Sequence, residues 1–137
     1  MSDGQAHDAH GIVFAAICTP ILAFSTGSIE IGICSGLGVI FGALWLSPDL
    51  DLKQSRPFKR WGPLRIFWWP YARLMPHRGL SHHWFWGPLG RLVYLTAFLL
   101  PLWVLAGGGE LSPLLITFLC GTIFGNWIHL LADGELF

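Results

Sequence analysis

This chain has little charge, little cysteine and no basic residue outside its middle third, and each shortage excludes a class of protein. Charged residues make up 12% of the 137 residues, whereas about 25% is usual in a soluble globular domain. Cys18, Cys34 and Cys120 lie far apart in apolar runs, so we expect buried small residues rather than a disulfide framework or a CxxC metal site. Residues 1–8 contain no Lys or Arg, so we do not expect a signal peptide there.

Long apolar runs take up most of the chain. Hydrophobic residues account for 53% of the sequence, and the mean hydropathy is +0.57. A helix needs about 20 mainly apolar residues to cross a bilayer, with about 17 as the lower limit. We therefore predict a single-domain, all-α polytopic membrane protein over residues 1–137, with four transmembrane helices arranged as two hairpins around a polar metal-binding segment, 48–90. The predicted spans are residues 9–28, 31–47, 91–107 and 111–132.

Glycine and proline refine this prediction. The second span contains a series of small residues, which predicts close approach of a neighbouring helix: Gly32, Gly36, Gly38, Gly42 and Ala43. Four prolines should break the polar segment into short pieces, because proline disrupts a helix interior: Pro57, Pro63, Pro70 and Pro76.

The positive charge indicates an orientation. All eight Lys and Arg lie between Lys53 and Arg91, and short loops rich in these residues stay in the cytoplasm. We therefore expect a multi-pass protein of the inner (cytoplasmic) membrane, with both termini cytoplasmic and lipids as its partners. Arg65 and Arg73 would bind lipid phosphates at the membrane surface, either those of a substrate or those of the anionic lipid that anchors the segment. Basic residues confined to one segment of an apolar chain do not indicate a nucleic-acid-binding protein.

An even number of crossings would bring distant His and Asp residues to this one face. Asp49-x-Asp51 follows a predicted helix end, and in an extended stretch its carboxylates share a face and can grip one ion or bridge two; the alternative is an ordinary acidic helix exit. HRGLSHH, residues 77–83, is dense in imidazoles, which indicates metal binding or a solvated basic loop. His129-x-x-x-Asp133 has helical i,i+4 spacing, which is compatible with a site or with a polar helix terminus.

The candidate groups have a particular chemistry. Imidazole and carboxylate without thiolate suit Zn, Mn or Fe, and the number of candidates allows one ion or two ions about 3.5–4 Å apart. Arg78, beside His77, could clamp an anionic group. His7 and His10 share a helical face near the terminus and are weaker candidates, while Asp8 could instead cap a helix.

The order of these motifs resembles a family of bacterial membrane proteins known only as metal-binding and of unknown function. The resemblance runs over nearly the whole chain, through H-D, LWLSPDLDL, RWGPLR, WPYARLMPHRGLSHH, GPLGRLVYL and a closing H-x-x-x-D. More loosely, the chain resembles the YdjM-like, LexA-regulated, membrane-bound metal-dependent hydrolases. The resemblance implies this ligand set: His7, Asp8, Asp49, Asp51, His77, His82, His129 and Asp133. His10 and His83 fall outside the shared pattern.

These observations lead to a functional hypothesis with two alternatives. The hypothesis is metal-dependent hydrolysis of a phosphoester or related bond in a membrane-associated substrate, with Asp51, Asp133 or His83 as general base and Arg78 holding the anion. Ser81 could be a nucleophile, although a capping hydroxyl is the more common role. The first alternative is a non-catalytic metal-binding or scaffold protein, because no unambiguous nucleophile or base is present. The second is haem held by His pairs, which the nearby aspartates argue against.

Overall fold

A computed structural model describes residues 4–75 and 79–134, and within these ranges the regular secondary structure is entirely helical. The long helices are α1 (Gly4–Thr26), α2 (Ile29–Leu44), α5 (Trp86–Leu105) and α6 (Pro113–Asp133). Five short helices lie between α2 and α5 in the described residues. Two are α-helices, α3 (Arg56–Arg60) and α4 (Trp69–Leu74), and three are 3-10 helices, η1 (Pro48–Asp51), η2 (Gly62–Trp68) and η3 (Leu80–His82).

Three of the long helices have the length and composition of membrane spans: Gln5–Thr26, Trp86–Leu105 and Pro113–Asp133. The fourth, α2, is apolar but only 16 residues long, just below the usual lower limit of about 17. The helices also extend beyond the predicted apolar runs, since α1 begins at Gly4 rather than residue 9 and α5 at Trp86 rather than residue 91. Helix formation does not require apolar side chains, so a span and its helix need not begin together.

Helix α2 lies against both α1 and α6 through its small residues. A Cβ on Gly36 would overlap the Thr19 hydroxyl of α1, and a Cβ on Gly42 would overlap the Thr122 carbonyl of α6. Gly38 approaches the Phe118 carbonyl of α6 in the same way. The predicted small-residue face is therefore confirmed, and it serves two neighbouring helices.

The predicted fragmentation of the polar segment is also confirmed for the described residues. Pro57, Pro63 and Pro70 each stand in the first turn of a short helix, where the missing N–H costs nothing; Pro76 lies outside the described residues. The segment forms its own small core, whose buried members are Leu46, Leu50, Phe58, Trp68 and Tyr71. This core holds η1 against the end of α2.

Candidate metal centre

Two helices from opposite ends of the chain bring three ligand-type side chains together. His7 of α1, His129 of α6 and Asp133 of α6 each offer one ligand atom, and these atoms all lie within 4.8 Å of one another. His7 Nε2 is 3.1 Å from Asp133 Oδ1, and His129 Nε2 is 3.3 Å from Asp133 Oδ2. The two imidazole rings are stacked, with centroids 4.3 Å apart. The i,i+4 spacing on α6 accounts for the second of these contacts.

Two side chains from the middle of the chain adjoin this group. Asp49, in η1, places Oδ2 3.6 Å from His129 Nε2 and Oδ1 3.9 Å from His82 Nε2. Asp49 therefore lies between the imidazole of α6 and that of η3. We call the five residues His7, Asp49, His82, His129 and Asp133 the His/Asp cluster.

The geometry of the His/Asp cluster fits a divalent metal ion. Ligand atoms about 2.0–2.1 Å from a tetrahedral ion lie about 3.3 Å from one another, close to the 3.1–3.6 Å separations between His7, His129 and the carboxylates. Both ring nitrogens of His129 are buried, and neither has a well-aligned hydrogen bond to a described residue, although Nε2 lies close to the Asp133 carboxylate. Because buried polar atoms in proteins normally have partners, an imidazole nitrogen facing two carboxylates at these distances is well suited to coordination.

A second layer of contacts orients His82. Ser81 Oγ donates a hydrogen bond to Asp51 Oδ2 at 2.6 Å and lies 3.1 Å from His82 Nδ1. Since the single hydroxyl hydrogen points to Asp51, His82 Nδ1 must be the donor in the second contact. Its Nε2, which faces Asp49, then carries the lone pair that a metal ligand needs. Outer hydrogen bonds of this kind commonly fix the tautomer and orientation of ligating histidines.

Two local expectations are wrong. Asp49 and Asp51 do not share a face of an extended stretch: they lie in a 3-10 helix, where three residues make a turn and residues two apart point in different directions. Asp49 therefore faces His129, while Asp51 bonds to Ser81. Ser81 is not a helix cap either, because Gly79 precedes η3 and the serine hydroxyl bonds to Asp51 instead.

Asp8 is not among the clustered residues. Its carboxylate accepts hydrogen bonds from both terminal nitrogens of Arg60 and lies 3.2 Å from Arg56 Nη1. Arg60 also donates to the Leu44 carbonyl at the end of α2 at 2.9 Å. Nor does Asp8 cap a helix, since α1 begins at Gly4. Asp8 instead ties α1 to α2 and α3.

Two of the remaining candidates, His77 and Arg78, lie outside the described residues. The others lie away from the His/Asp cluster. His83 is exposed, and its Nδ1 accepts from the backbone N–H of Phe85 and of Trp86 at the start of α5. Arg65, Arg73 and His10 are exposed and are not part of the His/Asp cluster.

Sequence reasoning missed Arg91 of α5 and Asn126 of α6. Arg91 is fully buried; its Nε and Nη2 donate to Asn126 Oδ1 at 3.0 and 2.7 Å, and its Nη1 donates to the Ser81 carbonyl at 2.7 Å. An ionisable residue within an apolar helix is rare and usually functional. That signal was present in the sequence. Because the predicted third span begins at residue 91, however, Arg91 was assigned to the boundary of the span rather than to its interior.

Tyr71 lies beside Arg91 in the core of the polar segment. Burial raises the pKa of the Tyr71 phenol above its ordinary value, while the positive charge of Arg91 acts in the opposite direction. The net increase keeps the phenol neutral at physiological pH, so Tyr71 does not neutralise the Arg91 charge.

Comparison with known proteins agrees with a metal-binding role. A protein of Aquifex aeolicus (strain VF5), described as an uncharacterized protein, is 45% identical over 60 residues, which cover 44% of this chain and 43% of that relative. The match thus spans less than half of the relative's length. No solved structure matches the chain. The model of the DUF2227 family, described as an uncharacterized metal-binding protein, matches residues 2–112, an interval that includes His7, Asp49 and His82. The chain therefore belongs to the DUF2227 family of uncharacterized metal-binding proteins.

Proposed function

We propose that this protein is an integral membrane protein that binds a divalent metal ion, Zn, Mn or Fe, through the His/Asp cluster. The observation that carries the proposal is the meeting of three imidazoles and two carboxylates from α1, η1, η3 and α6. The Asp49 and Asp133 carboxylates both face His129 Nε2, at 3.6 and 3.3 Å. Carboxylates that share one position repel each other, and a cation removes that repulsion. Oxygen and nitrogen donors without thiolate suit these three metals.

Metal content tests the proposal directly. The protein purified in detergent should contain one or two equivalents of metal by elemental analysis, and His129→Ala and Asp133→Asn should lose most of it. His10→Ala is the matched control, because His10 is an exposed histidine on the same helix as His7. Full metal content in folded His129→Ala would refute the site.

The proposed topology has four spans and two cytoplasmic termini. The start of α1, the end of α6 and η1, which follows α2, meet through the His7–Asp133 and Asp49–His129 contacts, as an even number of crossings requires. The basic segment beginning at Lys53 adjoins this end of the helices, which favours the cytoplasmic side. Reporter fusions at the two termini should both give the cytoplasmic signal; opposite signals would exclude four spans.

The proposed activity, which the YdjM-like resemblance also suggests, is hydrolysis of a phosphoester or related bond in a membrane-associated substrate. A bound divalent ion would supply the charge that acidifies water and stabilises the developing oxyanion. Asp133 is the general base in this proposal, because it is exposed at the edge of the cluster, whereas Asp51 bonds to Ser81 and His83 to the start of α5.

An apolar cavity beside α5 supports the proposal that the substrate is membrane-associated. Residues of η2, including Leu64 and Phe67, and of α5, including Phe98, line a cavity of about 390 Å³. Three lining residues carry a polar side-chain atom: Trp61, Trp68 and Tyr94. Trp61 Nε1 donates to the Trp45 carbonyl, the Tyr94 hydroxyl donates to the Phe67 carbonyl, and Trp68 is almost fully buried. The remaining wall suits a hydrocarbon chain.

A non-catalytic metal-binding or scaffold protein is the second candidate. It is favoured by the burial and stacking of His7 and His129 and by the existing hydrogen bonds of His83 and Asp51. Turnover of a phosphoester panel, abolished by chelator and restored by Zn or Mn, would support the hydrolase. A silent panel with a fully metal-loaded protein would support the second candidate.

A further inference from the structure

We propose that Arg91 is a positioning residue that holds His82 and His129 in register for the same metal ion. This inference rests on the proposed metal site. The role it gives to Arg91 is indirect, since the hydrogen bonds of Arg91 go to Asn126, Ser81 and Tyr71 rather than to the His/Asp cluster.

The first contact fixes the loop that carries His82. Arg91 Nη1 donates to the carbonyl of Ser81, the residue next to His82, at 2.7 Å. The approach depends on Gly87 of α5, where a Cβ would overlap the same Ser81 carbonyl. The Ser81 hydroxyl in turn contacts Asp51 and His82 Nδ1. The backbone and side chain of Ser81 are therefore both held, and His82 is oriented through them.

The second contact fixes α6. Arg91 Nε and Nη2 converge on Asn126 Oδ1, and Asn126 Nδ2 donates to the Thr122 carbonyl at 2.8 Å. These bonds occupy both ends of the amide, so it cannot rotate without losing one. Asn126 lies three residues before His129, an i,i+3 spacing that puts both side chains on one side of the helix. A guanidinium can hold both elements because its donors have a rigid, planar geometry.

The charge of Arg91 is part of the arrangement. Its hydrogen-bond partners among the described residues are all neutral: the Ser81 carbonyl, the Asn126 amide and the Tyr71 phenol. Asp49 and Asp51 are near enough to interact with it electrostatically. A buried cation is costly unless hydrogen bonds and nearby opposite charges compensate it. The carboxylates of Asp49 and Asp51 and the guanidinium of Arg91 thus stabilise each other, which explains how α5 can contain a buried cation.

The experiment compares metal binding in four variants with the wild type, purified in detergent. Arg91→Gln removes the guanidinium, and Asn126→Ala removes its acceptor on α6. Asn126→Asp keeps the acceptor oxygen for Arg91 but loses the donor to the Thr122 carbonyl, so it tests the Arg91 contact separately and is the rescue variant. Thr122→Val is the matched control. Thr122 is fully buried one turn earlier, and among the residues that the structure describes its hydroxyl bonds only to the Phe118 carbonyl of the same helix. Zn affinity is measured by chelator competition, and ligand geometry by the visible absorption of the Co-loaded protein.

We expect Arg91→Gln and Asn126→Ala to weaken Zn affinity by about 10- to 100-fold, as loss of partners beyond the ligands typically does, and to change the Co spectrum. Asn126→Asp and Thr122→Val should stay within a few-fold of wild type with an unchanged spectrum. If Arg91→Gln does not fold, the Zn affinity and Co spectrum of Asn126→Ala test the proposal, because that variant removes the same contact from the side of α6.

Two results would overturn the proposal, and they differ in meaning. If Arg91→Gln and Asn126→Ala unfold at lower temperature yet bind Zn and Co as the wild type does, Arg91 is only a stabilising residue. If the wild type itself binds neither metal, the metal site fails and the role of Arg91 fails with it.

Discussion

Asp8 and Asp133 show how surroundings assign different tasks to the same residue type. Asp8 is held by Arg60 and Arg56, whereas Asp133 faces His7 and His129. We therefore expect Asp133→Asn to weaken metal affinity by at least about 10-fold, with Asp8→Asn leaving it within a few-fold of wild type. Chelator competition measures both variants, and an equal loss in the two would show that Asp8 is a ligand.

The cost of Asp8→Asn should instead appear in stability. Hydrogen bonds to charged groups contribute about 1.5–3 kcal/mol when well formed, and partial exposure of Asp8 and Arg60 reduces this contribution. We expect Asp8→Asn to lower the free energy of unfolding by about 1 kcal/mol, measured by denaturation in detergent. Wild-type stability would mean that the contacts linking α1, α2 and α3 do not matter.

His82 and His83 are adjacent but face different surroundings. His82 is buried beside Ser81 and Asp49, whereas exposed His83 accepts two backbone N–H groups at the start of α5. His83→Ala should therefore cost about 1 kcal/mol of stability, like the loss of a helix cap, and leave metal content unchanged. His82→Ala should reduce metal content. If elemental analysis instead showed metal loss in His83→Ala and full metal content in His82→Ala, His83 would be the ligand and His82 would not.

At the scale of elements, the packing of α2 against α6 depends on glycines. A Cβ on Gly42 would overlap backbone atoms of Thr122, while one on Gly90 in α5 would meet no atom within 4 Å. The same substitution should therefore have opposite effects: Gly42→Ala should destabilise by about 1–3 kcal/mol through overpacking, and Gly90→Ala should be neutral or stabilise by up to about 1 kcal/mol. Thermal unfolding in detergent checks both, and a neutral Gly42→Ala would mean that the helices can separate without cost.

The short helices illustrate what local rules can and cannot predict. Pro57, Pro63 and Pro70 predicted breaks, and each stands where a helix begins. The same rules did not predict that Asp49 and Asp51 lie in a 3-10 helix. That conformation is stabilised by packing of Leu50 into the core with Phe58 and Trp68, which is a tertiary interaction.

At the scale of the whole molecule, metal binding should stabilise the fold. The candidate ligands come from α1, η1, η3 and α6, so a bound ion would link all four elements. The ion binds the folded protein and not the unfolded chain, because the ligands come together only on folding. At a free metal concentration 100 times Kd, this linkage adds about 2.7 kcal/mol. Chelator should therefore lower Tm of the wild type, and added metal should restore it. His129→Ala should show little response, and an equal chelator effect in that variant would place the stabilising ion elsewhere.

The sequence by itself determined the helical class, the small-residue face of α2, the proline breaks and the choice of His and Asp as candidate ligands. These depend on composition, on helical periodicity and on backbone preferences within a few residues. Only the tertiary structure decided which acids face the imidazoles, because neighbouring residues on a helix point in different directions and Asp8 and Asp51 are held by partners 52 and 30 residues away in the chain. The Arg91–Asn126 link, 35 residues apart, was likewise decided by helix packing, since hydrogen bonding selects partners by distance in space rather than in sequence.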